Sequence, residues 1–180
     1  MRTCGSCNLC CKVLEVRSLA KPAGQWCEHA IRGRGCGIHG RHPADCRAFT
    51  CGWLQSSDLG PEWKPEICRF VLRDESDERR LCVDVDPGFP DAWKKPAYYP
   101  LIKRWSGAVR DRTGCVLVYV GARTIVVFPE EDIDLGPLEP APVLVVGYLK
   151  TRDVRRPLVR HMVDGAVAAE WRGAPVTPGR

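Results

Sequence analysis

Eight of the eleven cysteines in this chain fall within its first 51 residues. They open as Cys4-Gly5-Ser6-Cys7-Asn8-Leu9-Cys10-Cys11 and continue through Cys27, Cys36, Cys46 and Cys51. A thiolate is a strong, soft ligand for zinc, copper(I) or iron–sulfur clusters, and two-residue gaps let a tight turn aim successive sulfurs at one centre. Such crowding leaves two frameworks for the first third of the chain, a metal centre or a set of disulfides.

Disulfide frameworks belong to secreted or periplasmic chains. The start, Met1-Arg2-Thr3-Cys4, has no apolar stretch and no cleavage site, so the expected compartment is the reducing cytoplasm. An odd total of eleven cannot pair off internally, and Cys10-Cys11 makes an awkward partner set for separate bridges. A metal centre is therefore the expectation.

The rest of the composition is that of a globular chain. With 180 residues, 44% hydrophobic and 27% charged, it can bury a core as one domain, or as one domain with a small metal module. The longest apolar stretches, Val116 to Val120 and Ile125 to Phe128, are of strand length, so no membrane association is expected. The net charge of +5 is modest. Lys12, Arg17, Lys21, Arg32, Arg34, Arg41 and Arg47, with Lys150-Thr151-Arg152 and Arg155-Arg156, fit a solvated basic face better than a nucleic-acid patch.

Composition shifts near residue 60. Glycine, cysteine and short polar connections dominate before it, a pattern poor in core and suited to stapling by metal. The expected fold class is α+β: a cysteine-rich metal module over residues 1–55, packed on a small, mostly antiparallel sheet with one principal helix over 56–160. Residues 161–180 read as a partly disordered tail. Cys10 to Val16 reads as a turn feeding a short strand, and Lys21 to Gly40 as loop. His42 to Leu54 reads as the one helix of the module, with Cys46, Phe49 and Trp53 on one side; Cys51, five residues after Cys46, matches that face less well. Strands are expected over Ile67 to Arg73 and Leu81 to Asp86 as a hairpin, then a helix over Pro96 to Val109. A second hairpin follows over Cys115 to Val120 and Thr124 to Phe128. Pro137, Pro140 and Pro142 mark a linker before a strand over Val143 to Leu149, and Pro157 to Trp171 reads as a short helix.

The opening octet, the isolated Cys27, Gly35-Cys36-Gly37-Ile38-His39 and Arg41-His42-Pro43-Ala44-Asp45-Cys46-Arg47-Ala48-Phe49 together resemble the CxxCxxCC family of YkgJ-type cysteine cluster proteins, described as zinc- or iron-chelating. The resemblance covers about the first third of the chain. It implies metal chelation and no defined reaction. Carried over by position, Cys4, Cys7, Cys10 and Cys11 match the opening motif, Cys27 the isolated cysteine, Cys36 the Cys-x-Ile step and Cys46 the Cys-Arg step. His39 replaces the usual tyrosine, and His42 displaces the usual proline. Both bring an imidazole near the cysteines, as extra ligands or as exposed loop histidines. A related cysteine cluster occurs in flagellin lysine methylases, where an iron–sulfur centre is implicated.

Seven or eight thiolates exceed what one tetrahedral zinc uses. A pair of zinc sites fits the count, and so does one [4Fe–4S] cluster with the remaining thiols structural or reactive. Neighbours in an extended chain point to opposite faces, so one of Cys10 and Cys11 is expected to serve a second ion. The expected ligands are thus Cys4, Cys7, Cys10, Cys11, Cys27, Cys36 and Cys46, with Cys51 as an eighth. The cofactor is zinc or iron, a [4Fe–4S] cluster included.

Cys68, Cys82 and Cys115 lie in expected strands and read as small buried hydrophobes. Asp84, Asp86 and Asp91, around Pro87-Gly88, read as a strand end and turn, and Glu130, Glu131, Asp132 and Asp134 as a solvated loop. Trp26, Trp53 and Trp63 are expected to form an apolar shell for the module. No P-loop, dinucleotide fingerprint, Ser/His/Asp constellation or His-Glu-x-x-His motif occurs. Three functional classes stay open: a metal-chelating protein, an iron–sulfur redox protein or enzyme accessory, and a zinc-based nucleic-acid or protein interaction module.

Overall fold

Leu9 and Val13, four residues apart, are both buried, and the chain coils between them into a short helix, α1 (Cys10–Val13). The strand expected from Cys10 is therefore absent: Val13 N donates to Leu9 O (3.0 Å) and Leu14 N to Cys10 O (3.2 Å), and this one helical turn brings Leu9 and Val13 side by side on the same face. Only Val16 pairs, in a single bridge with Lys21. This computed structural model describes residues 2–111, 114–138, 143–151 and 154–176, without the side chains of residues 76, 110 and 111.

A small hairpin follows, β1 (Ala30–Ile31) and β2 (Gly35–Cys36). The single helix expected over His42 to Leu54 is two: α2 (Ala44–Ala48) and α3 (Gly52–Gln55). Phe49 and Cys51 between them are extended, with ψ of 127° and 151°. The break lets Gly52 lie against Leu72, where a Cβ would come within 2.9 Å of the leucine's own, and leaves Cys51 buried. Pro65 starts another short helix, α4 (Pro65–Cys68), so Cys68 is helical rather than in a strand and Ile67 is exposed.

β3 (Phe70–Glu75) and β4 (Arg80–Val85) form the expected hairpin, in register from Phe70↔Val85 to Glu75↔Arg80. α5 (Tyr99–Asp111) begins three residues later than expected, with Pro100 in its first turn, and carries the chain back to β5 (Cys115–Val120). That return makes β4 and β5 the one parallel pair among the described residues. β6 (Arg123–Val127) and β7 (Asp132–Pro137) continue antiparallel, giving the order β3-β4-β5-β6-β7. The acidic run is no solvated loop: Asp132 accepts from Tyr99 Oη (2.9 Å) and Lys103 Nζ (2.7 Å), and Asp134 pairs with Arg123.

β8 (Val143–Lys150), β9 (Arg155–Val163) and β10 (Ala166–Arg172) make a second, antiparallel sheet. The helix expected over Pro157 to Trp171 is thus two strands. Asp164 and Gly165, with φ of 50° and 79°, form the two-residue turn that joins them. Residues 173 to 176 return along β9, where Val176 and Arg155 exchange backbone hydrogen bonds of 3.0 and 2.7 Å. Pro140, Pro142, Arg152 and residues 177–180 lie outside the described residues.

The molecule is α+β, and its central strand is apolar on both faces. Val116 and Val118 of β5 join Leu9, Val13, Trp63, Phe70 and Ile102 in one core, while Leu117 joins Phe128, Ile133 and Val159 of the second sheet in another. The cysteine-rich segment has little core of its own and contributes its apolar residues to the sheet's. No helix among the described residues is long and apolar enough to cross a membrane.

One charged pair sits inside the larger sheet. Asp84, 7% exposed, accepts from Arg73 Nε at 2.8 Å, and Arg73 also reaches Glu75. Removing one partner of a buried pair strands the other. Arg73→Leu should cost about 3 kcal/mol, and adding Asp84→Leu should recover much of it. Urea denaturation of the single and double variants checks this; equal costs would show that Asp84 is solvated.

Candidate metal centre

The Cys4 to Cys11 segment is a turn followed by α1. Cys7 N donates to Cys4 O (2.9 Å) across a turn that needs Gly5 at φ +55°, and Cys11 N donates to Asn8 O (3.0 Å). Asn8 is buried, and its side-chain amide donates to Ile31 O (3.1 Å) and Gly35 O (3.3 Å), fixing the β1–β2 hairpin beside α1. Cys27 N donates to Cys11 O (2.9 Å), and Cys36 is paired with Ala30 across the hairpin. Asp45, at the start of α2, accepts from Ser18 N (3.1 Å) and brings Cys46 to the same side. Lys12 binds Asp86 Oδ1 at 2.5 Å, anchoring α1 to the end of β4, where Asp86 also accepts from Gly88 N (2.9 Å) in the expected turn.

These connections enclose a cavity of about 660 Å³. Cys4, Cys7, Cys10, Cys11, Cys27, Cys36, Cys46 and Cys51 all line it. Cys68, Cys82 and Cys115 do not; each is buried in the core, as expected of small hydrophobes. His29, His39 and His42 reach the wall as well. His39 and His42 stack at 5.0 Å, and His42 Nδ1 accepts from Gly40 N (2.9 Å), which in a neutral ring leaves the proton on Nε2. That tautomer has no free nitrogen for a metal. Of the tryptophans, Trp53 and Trp63 are buried in the core, and Trp26 is half-buried between Lys12 and Arg32.

The thiols surround the space without closing on a point. No group of three or more His, Cys, Asp or Glu side chains among the described residues converges closely enough to hold a metal ion. The donor set nevertheless suits a soft metal, since eight cysteines line one volume. Burial raises the Cys4, Cys7 and Cys46 thiols above the ordinary cysteine range. Cys10 and Cys11 share a hydrogen bond that, ahead of burial, raises Cys10 and lowers Cys11 to about 7, with the Lys21 ammonium favouring the Cys11 thiolate further.

Lys21, expected on a solvated basic face, is buried instead, and its place at the site was not foreseen. It is 7% exposed, and its ammonium donates to Lys12 O (3.1 Å) and Leu14 O at the end of α1. Burial depresses its pKa, opposed by the nearby Cys11, Cys27, Cys10 and Cys46. In the sequence it is one lysine among several in a Pro/Gly segment, and nothing there marks it. Comparison with protein-family models, with curated proteins and with solved structures finds no match to this chain.

In the reduced, metal-free protein, Cys11 should alkylate ahead of Cys4, Cys7 and Cys46, because the thiolate is the nucleophile. Its rate should rise about tenfold from about pH 6 to about pH 8 and then level off, as a group with a pKa near 7 ionises. Peptide mapping after limited iodoacetamide treatment checks this. Faster labelling of Cys4, the more exposed thiol, would contradict it.

Proposed function

We propose that this chain is a metal-chelating cysteine cluster protein of the reducing cytoplasm, binding zinc or iron through Cys4, Cys7, Cys10, Cys11, Cys27, Cys36, Cys46 and Cys51. The observation that carries this reading is that all eight N-terminal thiols line one cavity while the other three cysteines are packed elsewhere. A random scatter of structural cysteines gives no reason for that separation. The resemblance to the CxxCxxCC family supports the same reading from the motif residues alone.

The bound metal would supply what the thiols lack, a positive centre that permits several thiolates in one half-buried space. The chain's part is to hold the sulfurs. The turn at Gly5, α1, the β1–β2 hairpin and α2 each deliver cysteines to the wall, and Lys21 offsets part of their negative charge. Iron as a [4Fe–4S] cluster would use four of these cysteines.

Substitution separates the two groups of cysteines. Serine at Cys7, Cys10, Cys36 or Cys46 should lower bound metal sharply, and alanine at Cys68, Cys82 or Cys115 should leave it unchanged. Elemental analysis and visible spectroscopy of protein prepared without air measure it, since zinc can displace iron during aerobic handling. Equal losses in the two groups would overturn the reading.

A further inference from the structure

We propose that the eight thiols act as two four-sulfur sets sharing one cavity, each holding one soft metal ion: Cys4, Cys7, Cys10 and Cys51 on the core side, and Cys11, Cys27, Cys36 and Cys46 on the outer side. This rests on the metal-chelating reading and adds to it the division of the ligands. Three observations carry it.

The first is packing. Cys51 belongs to the main core, and Cys7 and Cys10 pack against it. The turn that joins Cys7 N to Cys4 O adds the fourth sulfur. Cys51 is also a close electrostatic neighbour of both Cys4 and Cys7. The second is the chain of backbone contacts on the outer side. Cys27 N donates to Cys11 O (2.9 Å), Ala30 N donates to Cys27 O (3.0 Å), and Ala30 is the strand partner of Cys36. Cys46 completes this set, with Cys11, Cys27 and Cys36 as its neighbouring thiols. The third is the junction. Cys10 and Cys11 are consecutive in α1, and one helical step turns the side chain by about 100°. Their side chains therefore leave α1 in different directions, and the two sets meet at this pair, with Cys4 also near Cys11.

Size and charge agree with the division. A zinc–sulfur bond is about 2.3 Å, so one tetrahedral ion fills a small part of 660 Å³. Four thiolates on a divalent ion leave a net negative charge, and Lys21 is placed near Cys11, Cys27 and Cys46 of the outer set and Cys10 at the junction. Among the described residues no carboxylate pairs with its ammonium.

Titration of the reduced full-length chain with cobalt(II) under nitrogen tests the division, read as thiolate-to-cobalt absorption and as bound cobalt per chain. The unaltered chain should take up two ions. Cys36→Ser/Cys46→Ser should keep one, Cys4→Ser/Cys7→Ser should keep the other, and Cys7→Ser/Cys46→Ser should leave no four-sulfur site. Far-ultraviolet circular dichroism establishes that each variant keeps its sheets, and alanine replaces serine in any that does not. One ion on the unaltered chain, or loss of both in either same-set variant, overturns the division while chelation stands. No cobalt on the unaltered chain overturns both.

Discussion

The cysteine-rich segment is attached to the rest of the molecule by very few buried side chains. Leu9, Val13 and Val16 enter from one end, and Cys51 and Trp53 from the other; from residue 22 to residue 50 only Gly35 is buried. A stretch of that length with so little burial cannot offset the conformational entropy of its own ordering by hydrophobic transfer. Its backbone is tied down at separate points, by Cys27 to Cys11, by Asn8 to the β1–β2 hairpin and by Asp45 to Ser18. The wall of the cavity is where these points meet, and the groups they bring there are thiols. Under the proposed function, metal–sulfur bonds take the place of the missing core, at on the order of 10 kcal/mol for a structural zinc in a small domain.

The sheet meets the opposite condition. β5 is buried on both faces, so the larger sheet is clamped between α5 with the cysteine-rich segment on one side and the three-stranded sheet on the other. This rigid floor gives the cavity its fixed side through Val71 and Leu54, and the Lys12–Asp86 pair registers α1 upon it. Cys82 and Cys115 belong to this floor, and Cys68 is buried in α4 just before it. Burial pushes Cys68 up to about 12 and raises Cys82, which keeps both as neutral thiols. Eight cysteines around one cavity and three packed away from it are thus two different chemical populations in one chain.

Much of the sheet was legible in the sequence. Periodicity located β3 to β6, α5 and β8 to within a few residues, because each is amphipathic or continuously apolar over its whole length. Helix and strand were confused where elements were short. Cys10 to Val16 and Ile67 alternate weakly enough to pass for strand, yet the turn that joins Leu9 to Val13 and the one that buries both Pro65 and Cys68 are helical. The Asp164-Gly165 turn was a readable hairpin signal, and the apolar spacing of Pro157 to Trp171 hid it. The eight cysteines were picked out by spacing, but not their common cavity, since the hydrogen bonds of Asn8 and Asp45 that gather them span more than twenty residues. Lys21 was out of reach, because burial of a lysine leaves no trace in local pattern.

The most direct measurement of the central claim is hydrogen–deuterium exchange across residues 22–50, with the protein metal-loaded and then stripped by a chelator under reducing conditions. If metal on the thiols substitutes for a core, amides of this stretch should be protected when loaded and should exchange rapidly when stripped, while β4, β5 and β6 stay protected in both. Unchanged protection of residues 22–50 after complete metal removal would contradict the account.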